Sequence, residues 1–439
     1  MKIAWFSPLP PQKSGISDYS VMLVDCLLQS CQVDLWVENI VPKISLKAGY
    51  EVIDYGRDSS VLPLLNTYDA IVYNIGNDVN HHGAMLEVLN DYPGIVILHD
   101  FILHHLIAGY WIDRRHDPEG YLQTMRKEYG DKAEQIARNG LRRSRPLWET
   151  EMVIDYPLNR QVLDSARSIV VHSRSVANSF GVDHNRVSVC LPHPIFKIPG
   201  DSDSLGDSLE MNRKLKLISF GHITPSKRLE PIIDAISAAQ DLRERVMLWV
   251  IGEFGSKEYG AKLKQYVLRR GMDQQVKFLG FRSEEETYAH LRRADAMVQL
   301  RKPTMGETSA AVLRGMSVGL PVIVSDVGWY SEIPDAAVIK IPYEDEQARL
   351  AQVLNRLVHD PDWGKAIGRS ALNYVKSAHT VENFCNQLID LIESTRRPDM
   401  IYFSVLGRIA DVCVEIGHVG PGAVASLANQ MPWLGSGRN

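Results

Sequence analysis

Cysteine is scarce in this chain: five residues in 439, at Cys26, Cys31, Cys190, Cys385 and Cys413. None forms a C-x-x-C pair or stands at zinc-ligand spacing from a histidine. The pattern excludes a disulfide framework and a structural zinc, and reads as reduced, mostly buried thiols. Long apolar runs are missing as well, and no stretch approaches the ~20 residues that a bilayer span needs. The opening MKIAWFSPLP carries one lysine and a short apolar run broken by Pro8, Pro10 and Pro11. It reads as a first strand rather than a signal peptide. Positive charge is not in excess either: 48 Lys and Arg stand against 53 Asp and Glu, a net charge of -5, so a nucleic-acid backbone is an unsuitable partner. What remains is the profile of a cytoplasmic globular protein, 45% hydrophobic and 23% charged. Its length favours two domains or three.

What is present is a strand–helix alternation that runs twice. In the first half the apolar strands are KIAWFS (2–7), QVDLWVE (32–38), AIVYNIG (70–76), GIVILHD (94–100), IVVHS (169–173) and VSVCLP (187–192). An amphipathic helix from about Ser17 to Ser30 follows the first of them. Strands this apolar, separated by helical stretches, predict a parallel sheet covered on both faces. A charged, strandless insertion at 104–161 interrupts the rhythm and reads as helical. Residues 198–213 are polar and turn-rich and read as a linker. The alternation then restarts with strands at 215–221, 246–252, 275–281, 296–301, 321–326 and 337–342, and helices from Leu229, at 257–271, at 284–293 and from Thr308. Helices at 345–358, 362–376 and 380–395 follow. In the tail, 400–439, Ile401, Val405, Ile409 and Val412 share one helical face. The expected fold is α/β, with two Rossmann-like doubly wound domains facing across a cleft. The first domain is 1–197, the second 214–378, and helices in 379–439 pack back on the first.

In such sheets ligands bind beyond the carboxyl ends of the strands, so the loops there hold the candidates. After the first strand, Ser14, Gly15 and Ile16 precede a helix start that presents unpaired N–H groups. In KPTMGETSAAVLRGM, Thr308 or Ser309 is a good N-cap. The small residues Ala310 and Ala311 let an anion approach the helix start, and Glu307 beside it offers a carboxylate to sugar hydroxyls. Lys227 and Arg228, after the second domain's first strand, would neutralise a departing diphosphate. Each loop taken singly is equally a plain turn, a common capped helix or a solvated charge pair. His99 and Asp100 end a strand, with His104 and His105 close behind. Their spacing is not that of a metal site, and a polar histidine facing substrate fits better. Trp111, Tyr121, Trp148 and Tyr156 in the insertion have the shape to stack on an acceptor sugar, or equally to pack a helical cap.

Taken together these pieces resemble a known family. The stretches ISFGHITPSKRLEPIIDAI, LWVIGEFG, VKFLGFRSEEETYAHLRRADAMVQL and ETSAAVLRGMSVGLPVIVSDVGWYSEIP run in the order and spacing of the donor domain of retaining family 4 glycosyltransferases, which have the GT-B fold. SGISDYS, LHDF, VVHSRSVANSF and VCLPHP resemble its acceptor domain more loosely. The resemblance implies a nucleotide-sugar donor and a glycan or lipid-linked hydroxyl acceptor. It also implies transfer with retention, no metal and no cofactor, and a peripheral membrane contact as an open option. It assigns catalysis to His99, Glu307 and Lys227. Donor binding falls to Gly15, Gly221, His222, Lys227, Arg228, Gly252, Phe281, Glu307, Thr308, Ser309 and Arg314, and the acceptor side to Ser14, Asp18, Asn74, Asp100 and His104. Two departures stand out. His222 replaces the family's usual arginine. Where the family has two glutamates, Gly306 and Arg314 stand instead, with Glu307 one residue off, and Arg314 does not accept hydrogen bonds as a carboxylate does. Three other readings share the fold type: a nucleotide-sugar epimerase, a non-catalytic nucleotide-sugar-binding partner of another transferase, and a pyridoxal-phosphate phosphorylase. The last needs a buried lysine for its cofactor and usually a longer chain.

Overall fold

A computed structural model describes residues 1–46, 49–143, 145–180, 187–195 and 214–395. The linker at 198–213 and the tail helix expected from Ile401 lie outside the described residues. The first domain is a seven-stranded, wholly parallel sheet of β1 (Lys2–Phe6), β2 (Gln32–Val37), β3 (Val52–Asp54), β4 (Ala70–Ile75), β5 (Ile95–Leu98), β6 (Ser168–Val171) and β7 (Val187–Cys190). The strands lie in the order β3-β2-β1-β4-β5-β6-β7. The second sheet comprises β8 (Leu215–Phe220), β9 (Val246–Ile251), β10 (Val276–Gly280), β11 (Ala296–Gln299), β12 (Val322–Ser325) and β13 (Ile339–Ile341). Its order is β10-β9-β8-β11-β12-β13, again all parallel. Strand order reverses between β1 and β4 in one sheet and between β8 and β11 in the other. Those are the switch points at which doubly wound sheets open a crevice. Strand β3, three residues with no fully buried position, carries too weak a pattern to be seen in sequence.

Both faces of each sheet are covered, as the continuous apolar runs require. On one face of the first sheet, Phe6, Tyr73, Val96 and Ile169 join Leu106, Tyr121 and Met125 of the insertion in one core. On the other, Trp5, Tyr19, Leu23 and Ile97 meet Phe384, Leu388 and Ile392 of the helix Val381–Thr395. That helix therefore lies on the first domain although it follows the second in sequence. The insertion is helical, as His104–Gly109, Pro118–Tyr129 and Asp131–Arg142 with short turns between. The domains touch directly. Phe101 and Ile102 donate their amides to the Met305 carbonyl at 2.9 and 3.0 Å. Glu332 accepts from the amides of Arg174 and Ser175, at the start of the helix Arg174–Ser179. A carboxylate there offsets the partial positive charge of a helix N-terminus.

Candidate active site

On the second domain the site forms around Lys227. Pro225–Lys227 make a short 3₁₀ turn, and Arg228 adopts a left-handed conformation (φ 51°) before the helix Leu229–Ser237 begins. This turns Lys227 inward, where it is 8% exposed. Its Nζ donates to the Phe220 carbonyl and to Gln299 Oε1, both at 3.0 Å. It thus ties the end of β8 to the end of β11, across the switch point. Burial first and Arg301 second, with Glu307 opposing, bring this ammonium down to about 7. Glycine lets the chain pack this closely. A Cβ at Gly221 (φ 111°) would stand 3.0 Å from Lys227 Nζ, and one at Gly252 (φ 140°) would stand 2.0 Å from the Gly221 carbonyl oxygen.

The loop after β11 supplies the opposite wall. Glu307 Oε1 lies 2.7 Å from Arg301 Nε. Glu307 Oε2 accepts from Thr304 Oγ1 (3.0 Å) and from the Met305 amide (2.7 Å). Arg301 Nη1 donates to Ser226 Oγ at 3.0 Å. The helix Ala310–Ser317 is capped by Ser309, whose hydroxyl accepts from the Val312 amide. Thr308 is thus in the loop, half-buried, and the helix starts two residues later than its sequence suggests. Tyr330, buried on the turn Trp329–Glu332, sets its hydroxyl beside Arg301 and Ser309. Four of these participants, Gln299, Arg301, Tyr330 and Ser226, were not among the sequence candidates. Gln299 and Arg301 had left a signal, as polar residues at the carboxyl end of an otherwise apolar strand.

Several expected donor contacts are differently placed. Arg228 does not face the cleft: its Nε lies 3.0 and 2.9 Å from the two carboxylate oxygens of Glu346, on the helix Glu346–His359. Arg314 points from the helix Ala310–Ser317 to Glu284 (3.5 Å) and, across the cleft, to Asp18 (3.9 Å). The guanidinium also lies over the Phe220 ring. His222 is exposed. Phe281 is 59% exposed and sits at the cleft mouth. There Lys13 of the first domain lies 5.2 Å above its ring and 3.6 Å from Glu253.

On the first domain, Ser14 caps the helix Gly15–Leu27, and Gly15 has open space where a side chain would stand. Asn74, wholly buried on β4, donates to the Phe6 carbonyl (3.1 Å) while its Oδ1 meets His99 Nε2 (3.2 Å). His99 also packs edge-on against Tyr19, which touches His172 and His193 in turn. Burial and the neighbouring imidazoles hold His99 far below the usual histidine range, so the ring is neutral. Asp100 is pushed up to about 7 by burial and then by Glu307, while the Asn77 amide and Arg301 act against the shift. His104, expected on the acceptor side, turns into the core of the insertion instead. It is wholly buried, tied by Nδ1 to the Tyr156 carbonyl (2.7 Å) and by Nε2 to the Tyr121 hydroxyl (2.9 Å). The insertion's aromatics pack on one another, Tyr121 on Trp148 and Tyr156 on Tyr129. Tyr121 is 0% exposed, so a cap core, rather than a sugar platform, accounts for it. Among the described residues no group of three or more His, Cys, Asp or Glu is placed to hold a metal. No described helix is long and apolar enough to cross a membrane.

Comparison with known proteins agrees with this architecture. Residues 204–374 match the family model described as "Glycosyl transferases group 1", so the chain carries a glycosyltransferase domain of that group. A search of curated proteins finds no match. Among solved structures, Anabaena HepE in complex with UDP is similar with a TM-score of 0.60 at 16% identity, over 90% of this chain and 100% of that one. Sucrose-phosphate synthase from Thermosynechococcus elongatus gives a TM-score of 0.60 at 15% identity, over 90% of this chain and 98% of that one. WaaG, a glycosyltransferase involved in lipopolysaccharide biosynthesis, gives 0.57 at 16% identity, over 89% and 99%. At these identities the likeness establishes the fold: two Rossmann-like domains arranged as in GT-B proteins.

Proposed function

We propose that this chain transfers a glycosyl group from a nucleoside-diphosphate sugar to a hydroxyl of a glycan or lipid-linked acceptor, with retention and without a metal. The observation that carries the reading is the placement of Lys227. A buried ammonium bridges the two strands at the switch point of a glycosyl transferases group 1 domain, packed closely against Gly221. HepE, of the same fold, is crystallised with UDP and with UDP-glucose, and a nucleotide-sugar suits this cleft for the same reasons.

In this account Lys227 and the amides at Thr308 and Ser309 hold the diphosphate, and Glu307 receives sugar hydroxyls. The positive groups stabilise charge as the diphosphate leaves, the step at which fixed electrostatics lower a barrier most. His99, neutral and held by Asn74, donates or accepts a hydrogen bond at the sugar without adding charge. The acceptor hydroxyl attacks on the face the diphosphate leaves, and the departing phosphate oxygen takes its proton. The protein contributes position and charge rather than a nucleophile.

Slow hydrolysis of the donor without acceptor tests this, with UDP-, GDP-, ADP- and dTDP-sugars followed by proton NMR. Release of nucleoside diphosphate, with the first-formed free sugar in the donor's own anomeric configuration and a rate unchanged by EDTA, is the expected result. The inverted anomer, or loss of activity with EDTA, contradicts the mechanism. Conversion of the sugar without nucleotide release marks an epimerase, and tight binding with no turnover marks a non-catalytic partner.

A further inference from the structure

The site has one cation too few if Lys227 acts alone, because a diphosphate carries about two negative charges. Three arginines lie near it. Arg228 is committed to Glu346, and Arg314 to Glu284 and Asp18. The third, Arg301, lies between the two elements that would flank a diphosphate: the Pro225–Lys227 turn and the loop leading to the Ser309-capped helix. Its backbone is fixed on both sides, the amide on Ser325 Oγ (2.9 Å) and the carbonyl on the Tyr343 hydroxyl (2.7 Å). Its Nη1 reaches Ser226 Oγ, next to Lys227. Its Nε lies 2.7 Å from Glu307 Oε1, but is buried with no acceptor in line to take its hydrogen.

We propose that Arg301 is the second cation of the diphosphate site, with Glu307 as the counter-ion that holds it in place until the donor arrives. This rests on the nucleotide-sugar reading above. A guanidinium presents several N–H donors in a planar fork and stays charged when buried, so it suits a phosphate oxygen. Lys227 senses its charge already, since Arg301 is one of the groups that disfavour the ammonium. A diphosphate placed between the two relieves that repulsion. Glu307, freed from Arg301, then has a carboxylate oxygen to offer the sugar.

The test is calorimetric binding of UDP, GDP, ADP and dTDP to wild type, Lys227→Met, Arg301→Met and the double variant Arg301→Met/Glu307→Gln, each checked for folding by thermal melting. A nucleoside diphosphate lacks the transferred sugar, so the contact of Glu307 with that sugar does not enter. If Arg301 touches the diphosphate, Arg301→Met weakens binding roughly thirtyfold or more, and the double variant stays weak although its charge balance is restored. If Arg301 only steadies Glu307, the double variant binds like wild type and the assignment is overturned. Should the methionine variants not fold, Arg301→Gln removes the charge but keeps a polar side chain. Weakened binding is then expected, and unchanged binding overturns the assignment. Failure of wild type to bind any of the four nucleotides would instead sink the nucleotide-sugar reading itself.

Discussion

Asn74 and Gln299 occupy equivalent places in the two sheets and do the same thing there. Each is a buried amide side chain on the strand just across the switch point, β4 or β11, and each donates to the carbonyl of the last residue of the strand beside it, Phe6 or Phe220. The remaining amide oxygen differs in what it holds: His99 in the first domain and Lys227 in the second. One architecture thus holds a neutral imidazole at the switch point of the first domain and a lysine at that of the second.

Removing either amide should separate the two roles. Gln299→Leu removes one of the two hydrogen bonds that the Phe220 carbonyl accepts, leaving it only Lys227, and leaves one Lys227 hydrogen unpaired, at a cost of about 1–3 kcal/mol in stability. It should weaken nucleotide binding about tenfold as Lys227 loses its register. Asn74→Leu should cost similar stability but leave nucleotide affinity near wild type while transfer slows. Thermal melts and donor titrations of both variants check this; equal loss of donor affinity in both would contradict it.

Donor binding should take up protons near neutral pH. Lys227 and Asp100 are both held at about 7. A diphosphate arriving beside them favours the ammonium and the neutral carboxylic acid. Affinity for a nucleotide-sugar should therefore fall as pH rises from 7 to 8.5, by up to about tenfold per pH unit for each proton linked. Calorimetry in buffers of different ionisation enthalpy measures the uptake directly, and Lys227→Met should reduce it. Proton release on binding would be the contrary result.

The first domain should be acid-sensitive. Burial holds His82 at about 3 and His104 and His172 at about 4, and moves His99, His193 and His379 in the same direction. Unfolded histidines titrate near 6.5, so below that pH the unfolded chain binds more protons and stability is lost as pH falls. Each histidine contributes up to about 1.4 kcal/mol per pH unit. Asp100 and Glu128, both raised to about 7, act the other way below pH 7, but the buried histidines outnumber them. The melting temperature, followed by the fluorescence of Trp5 and Trp36, should drop steeply between pH 6.5 and 4.5. A flat or rising profile would contradict the buried neutral state.

The fold was legible because period and composition agree along nearly every element. The helix Glu284–Arg293, with its Ser283–Glu286 capping box, ends where the sequence says it should. Parts of the site were legible for a similar local reason: Lys227 and Ser309 stand beside punctuation that sequence shows directly, a Thr-Pro turn and a helix start. What sequence does not carry is which charge pairs with which. Arg228 and Lys227 are neighbours in the chain, yet the left-handed turn at Arg228 sends one to Glu346 and the other to the switch point. Arg314 finds Asp18 nearly three hundred residues away, a partner set by the docking of two domains rather than by any spacing. His104 looked like a cleft histidine because it follows β5 closely, but the helix it begins is part of the insertion and turns it into that core.

The most direct test of the central claim is a calorimetric titration of the folded protein with the UDP-, GDP-, ADP- and dTDP-sugar panel, alongside Lys227→Met. The account predicts that one nucleotide class binds and that the substitution weakens it about thirtyfold or more. Binding unaffected by the loss of Lys227, or no binding by a folded wild-type protein, would contradict it.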